Sequence, residues 1–390
     1  MKICITQSAP GTAYAAAELE RFLKEYTAAG IVSDNEAADR CVVMEADAGI
    51  PEHHYSVRGD GKTLSVRGGS PSAVLCGVCD ALSEAGILFE ASCYSAPRGF
   101  DIDALFCAAK DVHPRFRLRG IRQHINFPMD ISSYPLKEAK EYVRSLARMR
   151  FNAITFHSYP GQWHASRPDD HAGHFFYGQV HPVPKGDPLT ASRIGNRKTF
   201  CIPEAEAIFE DEAKRGEYAV YWLNEVMKTA KEAGMTVALS VEIRSDDEAA
   251  ESRMLRELLG NYPLIDTLEI ITEENGADRG LAGVTRENVK AFFVGLFGGS
   301  ILDENGDVPG LSDCDPARCA ANAVCLKRTL RAFETREEWL SGSPRRPALR
   351  AGIYCTDRET LRVLRPILRR FLPEDVTMSL LPAHGALAAA

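Results

Sequence analysis

Residues 235–272 read MTVALSVEIRSDDEAAESRMLRELLGNYPLIDTLEIIT, and this stretch decides the fold. Its two apolar runs, MTVALSVEI and IDTLEIIT, have the length and the β-branched content of buried strands. Between them, ESRMLRELLG has the spacing of an amphipathic helix. A strand, a helix and a second strand in this order predict a parallel pair joined by a right-handed crossover.

The same alternation continues from Arg117 onward and predicts six strands in all. The other four are LRGIRQHINF (118–127), FNAITFHSY (151–159), ALRAGIYCTD (348–357) and VTMSLLPAHG (376–385), and a long helix is predicted from Ala317 to Leu340. No dinucleotide-binding glycine pattern follows any strand, and polar residues gather at the strand carboxyl ends, which favours a TIM-type (β/α)8 barrel over a doubly wound sheet. Because such a barrel needs eight strands, we expect this one to be incomplete at its C-terminal end.

Residues 1–108 have a different rhythm and predict a small α+β domain ahead of the barrel domain, 109–390. Strands KICIT, RCVVMEA, HYSVRG and TLSVRGG accompany helices AYAAAELERFLKEY and Pro71–Ala85. Asp60-Gly61 between two alternating runs predicts a hairpin. Ser70 followed by Pro71 predicts the N-cap and first residue of the second helix. The fold class is therefore α/β, with two domains.

Composition narrows the classes of function. The 390 residues are 45% hydrophobic and 26% charged, which is typical of folded chains, and the net charge of −8 disfavours nucleic-acid and anionic-lipid partners. No apolar run approaches the ~20 residues of a membrane span, and the N-terminus is interpreted as a strand. The 11 scattered cysteines favour a reducing, cytoplasmic location. Cys76 and Cys79 lie in an apolar helical pattern, which favours packing over redox chemistry.

Glu273 and Glu274 follow the strand LEIIT directly. Two adjacent carboxyl groups disfavour joint ionisation, so one of them tends to keep the proton that a general acid needs. The competing interpretation is an exposed and solvated pair. The pair alone does not decide between them.

A wider pattern supports the catalytic interpretation. The segment LARMRFNAITFHSYPGQW, with Arg150, Asn152, His157 and Trp163, resembles the second barrel strand of the β-N-acetylhexosaminidases of glycoside hydrolase family 20. Arg119-Gly120, VALSVEI and ITEE resemble that family's strands one, three and four, in the same order. The N-terminal domain resembles the accessory domain of hexosaminidases and α-glucuronidases, chiefly in AAELERFLKEYT and GGSPSAVLCGVCDAL.

The resemblance implies an exo-acting glycoside hydrolase in which Glu274 is the general acid. It also implies that Glu273 takes the place of the aspartate that steers the acetamido group, and that Arg119 binds a sugar hydroxyl. The sequence departs from the family at Glu273, at His124 and at Arg244, where the family has aspartates. Our predicted site therefore has Glu273 and Glu274 as catalytic residues, and its predicted substrate-binding residues are Arg119, Arg122, His124, His157, Trp163 and Glu242.

We expect hydrolysis of a terminal hexosaminide or uronide, with no cofactor. For a uronide, Arg119 or Arg122 would pair with the carboxylate. The histidines after strand two include His164, His171 and His174, but their spacing fits no recognised zinc site, so we predict no metal. The alternative from another class is a non-catalytic carbohydrate-binding protein that keeps the barrel cleft.

Overall fold

The computed structural model describes most of the chain. The described residues are 1–7, 10–33, 37–125, 131–158, 211–243, 246–273, 280–341, 345–354 and 356–381, with short pieces at 181–182, 199–200, 204, 207–208 and 343. The chain forms two compact units. The first comprises Met1–Arg122, Tyr134–Thr155 and Trp222–Val237, and the second comprises Gln123–Ser133, Phe156–Tyr221 and Ala238–Ala390.

The first unit is built on a mixed sheet of six strands. They are β1 (Lys2–Gln7), β2 (Gly30–Val32), β3 (Arg40–Ala46), β4 (Tyr55–Gly59), β5 (Thr63–Gly68) and β8 (Ala109–Val112), in the order β2-β1-β3-β5-β4-β8. The pairs among β2, β1, β3 and β5 are parallel, whereas β4 runs antiparallel to β5 and to β8. A separate small hairpin joins β6 (Leu88–Phe89) and β7 (Tyr94–Ser95).

Local chemistry explains the predicted turn and helix start in this unit. The Asp60 carboxylate accepts hydrogen bonds from the main-chain N–H groups of Lys62 and Thr63, and Gly61 takes a φ of +89°, as the tight β4–β5 hairpin requires. Ser70 caps helix α2 (Pro71–Glu84) by accepting from Ala73 N–H. The predicted hairpin at Asp60-Gly61 and the predicted helix start at Ser70-Pro71 are both confirmed.

Helices α1 (Ala13–Tyr26), α2, α3 (Ile102–Cys107) and α4 (Leu136–Arg148) supply much of this unit's core. Cys76 and Cys79 are buried in α2, and burial raises the pKa of Cys76 to about 11. The packing interpretation of this CxxC is therefore confirmed. Strand β8 was not predicted as part of the N-terminal sheet. The domain boundary between residues 108 and 109 stays a prediction.

The second sheet is a curved parallel sheet that forms part of a (β/α) barrel. Its strands are β9 (Gly120–Ile125), β10 (Ala153–Ser158), β13 (Thr236–Glu242), β14 (Thr267–Ile271), β15 (Ala348–Tyr354) and β16 (Thr377–Leu381), in the order β16-β15-β14-β13-β10-β9. The β13–β14, β14–β15 and β15–β16 pairs are parallel. All six predicted strands are confirmed. A short antiparallel pair, β11 (His181–Pro182) and β12 (Thr199–Phe200), stands apart.

Helices alternate with these strands as predicted. They are α5 (Glu212–Glu232), α6 (Glu248–Asn261), α7 (Val289–Phe297), α8 (Pro316–Glu334), α9 (Arg336–Leu340) and α10 (Arg358–Phe371). The long helix predicted over 317–340 was wrong in one respect, because it ends at Glu334 and a separate turn, α9, follows. The buried Trp339 indole N–H donates to the Ala332 carbonyl at 2.8 Å and takes up an acceptor that a continuing helix would have used.

Candidate active site

Polar side chains meet at the carboxyl ends of the barrel strands, all within the second unit. His124 lies near the end of β9, His157 near the end of β10, and Glu242 ends β13. Glu273 lies two residues beyond β14, and Tyr354 ends β15. Because parallel strands end at the same edge of a sheet, residues distant in sequence come together there.

His157 and Glu242 form the buried centre of this cluster. Both side chains are fully buried, with His157 Nε2 3.7 Å from Glu242 Oε1. The other ring nitrogen, Nδ1, lies 3.2 Å from the Ser240 hydroxyl, which is also buried. The longer separation exceeds a hydrogen bond and is therefore an electrostatic contact. Such a pair can bind a hydroxyl group or transfer a proton.

Two further rings, those of His124 and Tyr354, lie beside the ring of His157. The His124 and His157 ring centroids are 5.0 Å apart at 73°, and Tyr354 lies 5.6 Å from His157 and 6.2 Å from His124. Aromatic and imidazole faces are common in sugar sites because they offer an apolar surface beside polar atoms. Tyr354 was not predicted as a site residue, although it lies in ALRAGIYCTD, the fifth predicted strand of the barrel.

Glu273 pairs with an arginine supplied by helix α8. Arg328 Nη1 lies 3.5 Å from Glu273 Oε2, and the rest of the guanidinium makes a bidentate pair with Asp246 at 2.8 and 2.9 Å. The hydrogen bond from Arg328 is the main cause that lowers the pKa of Asp246 below its usual value. Arg328 therefore ties the segment after β13 to the segment after β14.

Cys325 lies one turn earlier in α8 and is buried. Burial is the main cause that raises its pKa to about 11, and the negative charges of Glu273 and Glu242 add to that rise. A hydrogen bond from the Glu273 main chain offsets only a small part of that rise in pKa. The thiol therefore stays protonated near neutrality.

The predicted arginines have different surroundings, in the first unit. Arg119 precedes β9, and its guanidinium donates to the main-chain carbonyls of Phe116 and Arg150 at 3.0 and 3.1 Å. Arg122 lies within β9 and has a half-buried side chain. Main-chain carbonyls therefore already engage the Arg119 guanidinium. The roles of Arg119 and Arg122 as sugar ligands stay predictions.

Two further residues of the resemblance have structural roles in that unit. The Asn152 side chain accepts from Arg119 N–H at 2.8 Å and donates to the Arg117 carbonyl at 2.9 Å. Arg150 takes a φ of +68° after helix α4, and its guanidinium binds Asp80 and the Ser83 hydroxyl. These residues hold the approaches to β9 and β10 in place.

Glu274, Trp163 and Arg244 lie outside the described residues, as do the loop histidines other than His157 and His181. Among the residues that the structure does describe, no group of three or more His, Cys, Asp or Glu side chains is arranged to hold a metal ion. The same part of the chain contains no helix that is both long and apolar enough to cross a bilayer. The nine described cysteines are all free thiols.

No family model matches the sequence, and none of the curated proteins compared with it does. Solved structures do match. The family 20 β-N-acetylhexosaminidase from Streptomyces coelicolor A3(2) has a TM-score of 0.52 at 11% identity, over 98% of this chain and 70% of that one. The family 20 exo-β-N-acetylglucosaminidase from Vibrio harveyi, solved with N-acetylglucosamine, gives 0.50 at 12% identity, over 97% and 57%.

A family 138 enzyme that targets pectin rhamnogalacturonan II has a TM-score of 0.49 at 11% identity, over 97% of this chain and 48% of that one. The chain thus spans between about half and about two thirds of the length of these three enzymes. At such low identity the likeness defines the fold, and the chain has a glycoside hydrolase fold.

Proposed function

We propose that this protein is a glycoside hydrolase that removes a terminal sugar by carboxylate acid/base catalysis. The observation that carries the proposal is the convergence of Glu242, Glu273 and His157 at the carboxyl edge of a parallel barrel sheet. Barrel enzymes build their active sites at this edge. Glycoside cleavage needs a proton donor and a second carboxylate beside a transition state that gains positive charge.

Glu274 is the proposed proton donor, and Glu273 is the carboxylate that orients the substrate. Arg328 supports this division of roles, because its guanidinium lies 3.5 Å from Glu273 Oε2 and holds that side chain in place. The assignment of Glu274 rests on the family pattern and on its place directly after Glu273 in the sequence.

The substrate we propose is a hexosaminide rather than a uronide. Glu242, Asp246 and Glu273 are acidic, and the two guanidinium groups described beside them, Arg328 and Arg331, already pair with carboxylates of this chain. A sugar carboxylate entering this edge would meet like charges, which costs binding free energy. A neutral acetamido group meets no such repulsion, and the Vibrio harveyi relative was solved with N-acetylglucosamine.

The test is a panel of aryl glycosides that covers β-N-acetylhexosaminides, β-hexosides and α- and β-glucuronides. We expect turnover of a hexosaminide. On a hexosaminide with a poor leaving group, Glu274→Gln should lose most of that turnover, and the matched control Glu304→Gln, whose side chain is exposed, should show no change. Turnover of glucuronides alone would overturn the substrate assignment. Binding of N-acetylglucosamine without turnover of any glycoside would instead identify a non-catalytic carbohydrate-binding protein.

A further inference from the structure

His54 and His113 face each other across the edge of the N-terminal sheet. Strands β4 and β8 are antiparallel with Tyr55 opposite Val112, so the residues just outside that pair, His54 and His113, are the next cross-strand neighbours. Their Nδ1 atoms lie 2.8 Å apart, and the two rings are nearly perpendicular, at 83°. In this state one Nδ1 carries a hydrogen and the other accepts it.

The surroundings hold both rings in this arrangement. The main chain of His54 is fixed on both sides, because its N–H donates to the Pro51 carbonyl at 2.8 Å and its carbonyl accepts from Gly69 N–H at 3.0 Å. On the other strand, His113 Nε2 lies 3.3 Å from Asp111 Oδ1. A carboxylate on the far nitrogen is the usual arrangement for a metal-binding histidine, because it orients the ring and strengthens the opposite nitrogen as a ligand.

We propose that this pair binds a divalent transition-metal ion through both Nδ1 atoms. The hydrogen that one Nδ1 carried moves to the Nε2 of the same ring, so that both neutral imidazoles offer an Nδ1 lone pair to the metal. Metal–imidazole bonds are about 2.0–2.1 Å long, which separates two nitrogens by about 2.9 Å at a right angle and by about 3.3 Å at a tetrahedral angle. The observed 2.8 Å therefore fits adjacent corners of a square-planar or tetragonal site. That geometry and the Irving–Williams order favour Cu²⁺, with Ni²⁺ and Zn²⁺ weaker.

The site would be open to solvent. The His113 side chain is 63% exposed, so water can fill the remaining coordination positions. No third ligating side chain is grouped with the pair among the described residues. The site lies in the first unit and is independent of the proposed hydrolysis. Because the ligands come from two strands, binding also stabilises the folded sheet.

The experiment is a titration of the untagged, chelator-treated full-length protein with CuCl2, followed by calorimetry and electron paramagnetic resonance. We expect the wild type to bind one equivalent more than either His54→Asn or His113→Asn, with the signal of two nitrogen ligands. Asp111→Asn should keep the site but weaken it about 10–100-fold. His53→Gln is the matched control, since its ring contacts Glu52 and Asn152 instead, and it should bind as the wild type does.

Equal stoichiometry in the wild type and both histidine variants would overturn the proposal, since any copper bound by the loop histidines remains in all of them. A second measurement guards against misfolding of a variant. At 100 times Kd, bound Cu²⁺ should shift the wild-type unfolding equilibrium about 100-fold beyond any shift in the folded variants. No difference between wild type and variant in melting temperature with and without Cu²⁺ would also overturn it.

Discussion

Asn152 and Asn288 each make the same pair of side-chain hydrogen bonds, but only Asn152 is buried. Asn152 binds Arg119 N–H and the Arg117 carbonyl, and Asn288 binds Thr285 N–H and the Gly283 carbonyl. Asn152→Ala leaves the Arg119 N–H and the Arg117 carbonyl without these partners in part-buried surroundings, so we expect a loss of about 1–2 kcal/mol in the free energy of unfolding. Asn288→Ala should cost less than about 0.5 kcal/mol because water replaces the bonds.

Urea denaturation of both variants checks this expectation. Equal losses would mean that Asn152 does not act through buried hydrogen bonds. The comparison also shows what a motif can tell: the sequence marked Asn152 by resemblance, but its structural role depends on Arg117 and Arg119, whose positions follow from the fold.

The substitution Glu274→Gln tests the proposed proton donor directly. A general acid contributes about 10²–10⁴-fold, so Glu274→Gln should lower turnover of glycosides with poor leaving groups by about that factor. Aryl glycosides with strongly acidic leaving groups need less protonation and should lose much less. Steady-state kinetics over a series of leaving groups measures the difference, and an equal loss throughout the series would remove Glu274 from the role.

Helix α4 ends in a Schellman motif with an arginine where glycine is usual. Phe151 N–H donates to the Leu146 carbonyl and Arg150 N–H to the Ala147 carbonyl, with Arg150 at a φ of +68°. A side chain in this conformation costs about 1–2 kcal/mol. Arg150 persists there because it binds Asp80, which is 8% exposed.

Two substitutions separate the backbone effect from the ion pair. Arg150→Ala and Arg150→Gly both lose Asp80, but only alanine keeps the strain of a positive φ. We expect both variants to be less stable than the wild type, and alanine to be about 1 kcal/mol less stable than glycine. Thermal and urea unfolding measure both values. If the two variants unfold alike, the strain is absent.

Helix α8 reaches the candidate site through Arg328, and this contact predicts a pH dependence. Arg328 lowers the pKa of Asp246, so the pair stabilises the folded state above the usual pKa of an aspartate and loses that effect as pH falls through the lowered value. Arg328→Gln should therefore reduce stability at pH 7, with the difference from wild type shrinking toward pH 2. Urea midpoints across this range test it, and a difference that grows as pH falls would contradict it.

The sequence predicted the existence of the barrel strands and helices better than it predicted where they end and which side chains they bring into contact. Strands such as β13 and β14 are long apolar runs, so the burial of each could be predicted from local pattern alone. The end of α8 could not, because it depends on Trp339 folding back onto Ala332. Arg328 was missed for the same reason, since nothing near it in the sequence shows that Glu273 and Asp246 come within its reach.

At the scale of the molecule, the N-terminal residues are predicted to stabilise the protein without supplying catalytic groups. Glu18 of α1 accepts from Arg148 Nε of α4 at 2.6 Å, and Arg148 is 2% exposed. Burial alone would raise the pKa of Glu18, but its hydrogen bonds and charge contacts with Arg148 and Arg21 outweigh burial and lower it. Helix α2 also packs against α4. One compact unit therefore contains both the N-terminal sheet and the first barrel helix.

Deleting residues 1–108 removes Glu18 and α2, and leaves the buried face of α4 and the Arg148 guanidinium exposed. We expect this deletion to be insoluble or to unfold at a much lower temperature than the full chain. A soluble deletion protein with an unchanged melting temperature would contradict the stabilising role.

Point variants test the same contact in the full chain. Glu18→Ala should cost about 1–3 kcal/mol, because it removes the bonds from the buried Arg148, whose guanidinium keeps Glu141 as a partner. Glu18→Leu with Arg148→Met should be nearly neutral. Since the folded-state pKa of Glu18 is lowered, its contribution is present above the unfolded pKa and is lost as pH falls through the folded value. The penalty of Glu18→Ala should therefore shrink in acid, and urea unfolding at pH 7 and pH 3 measures that change.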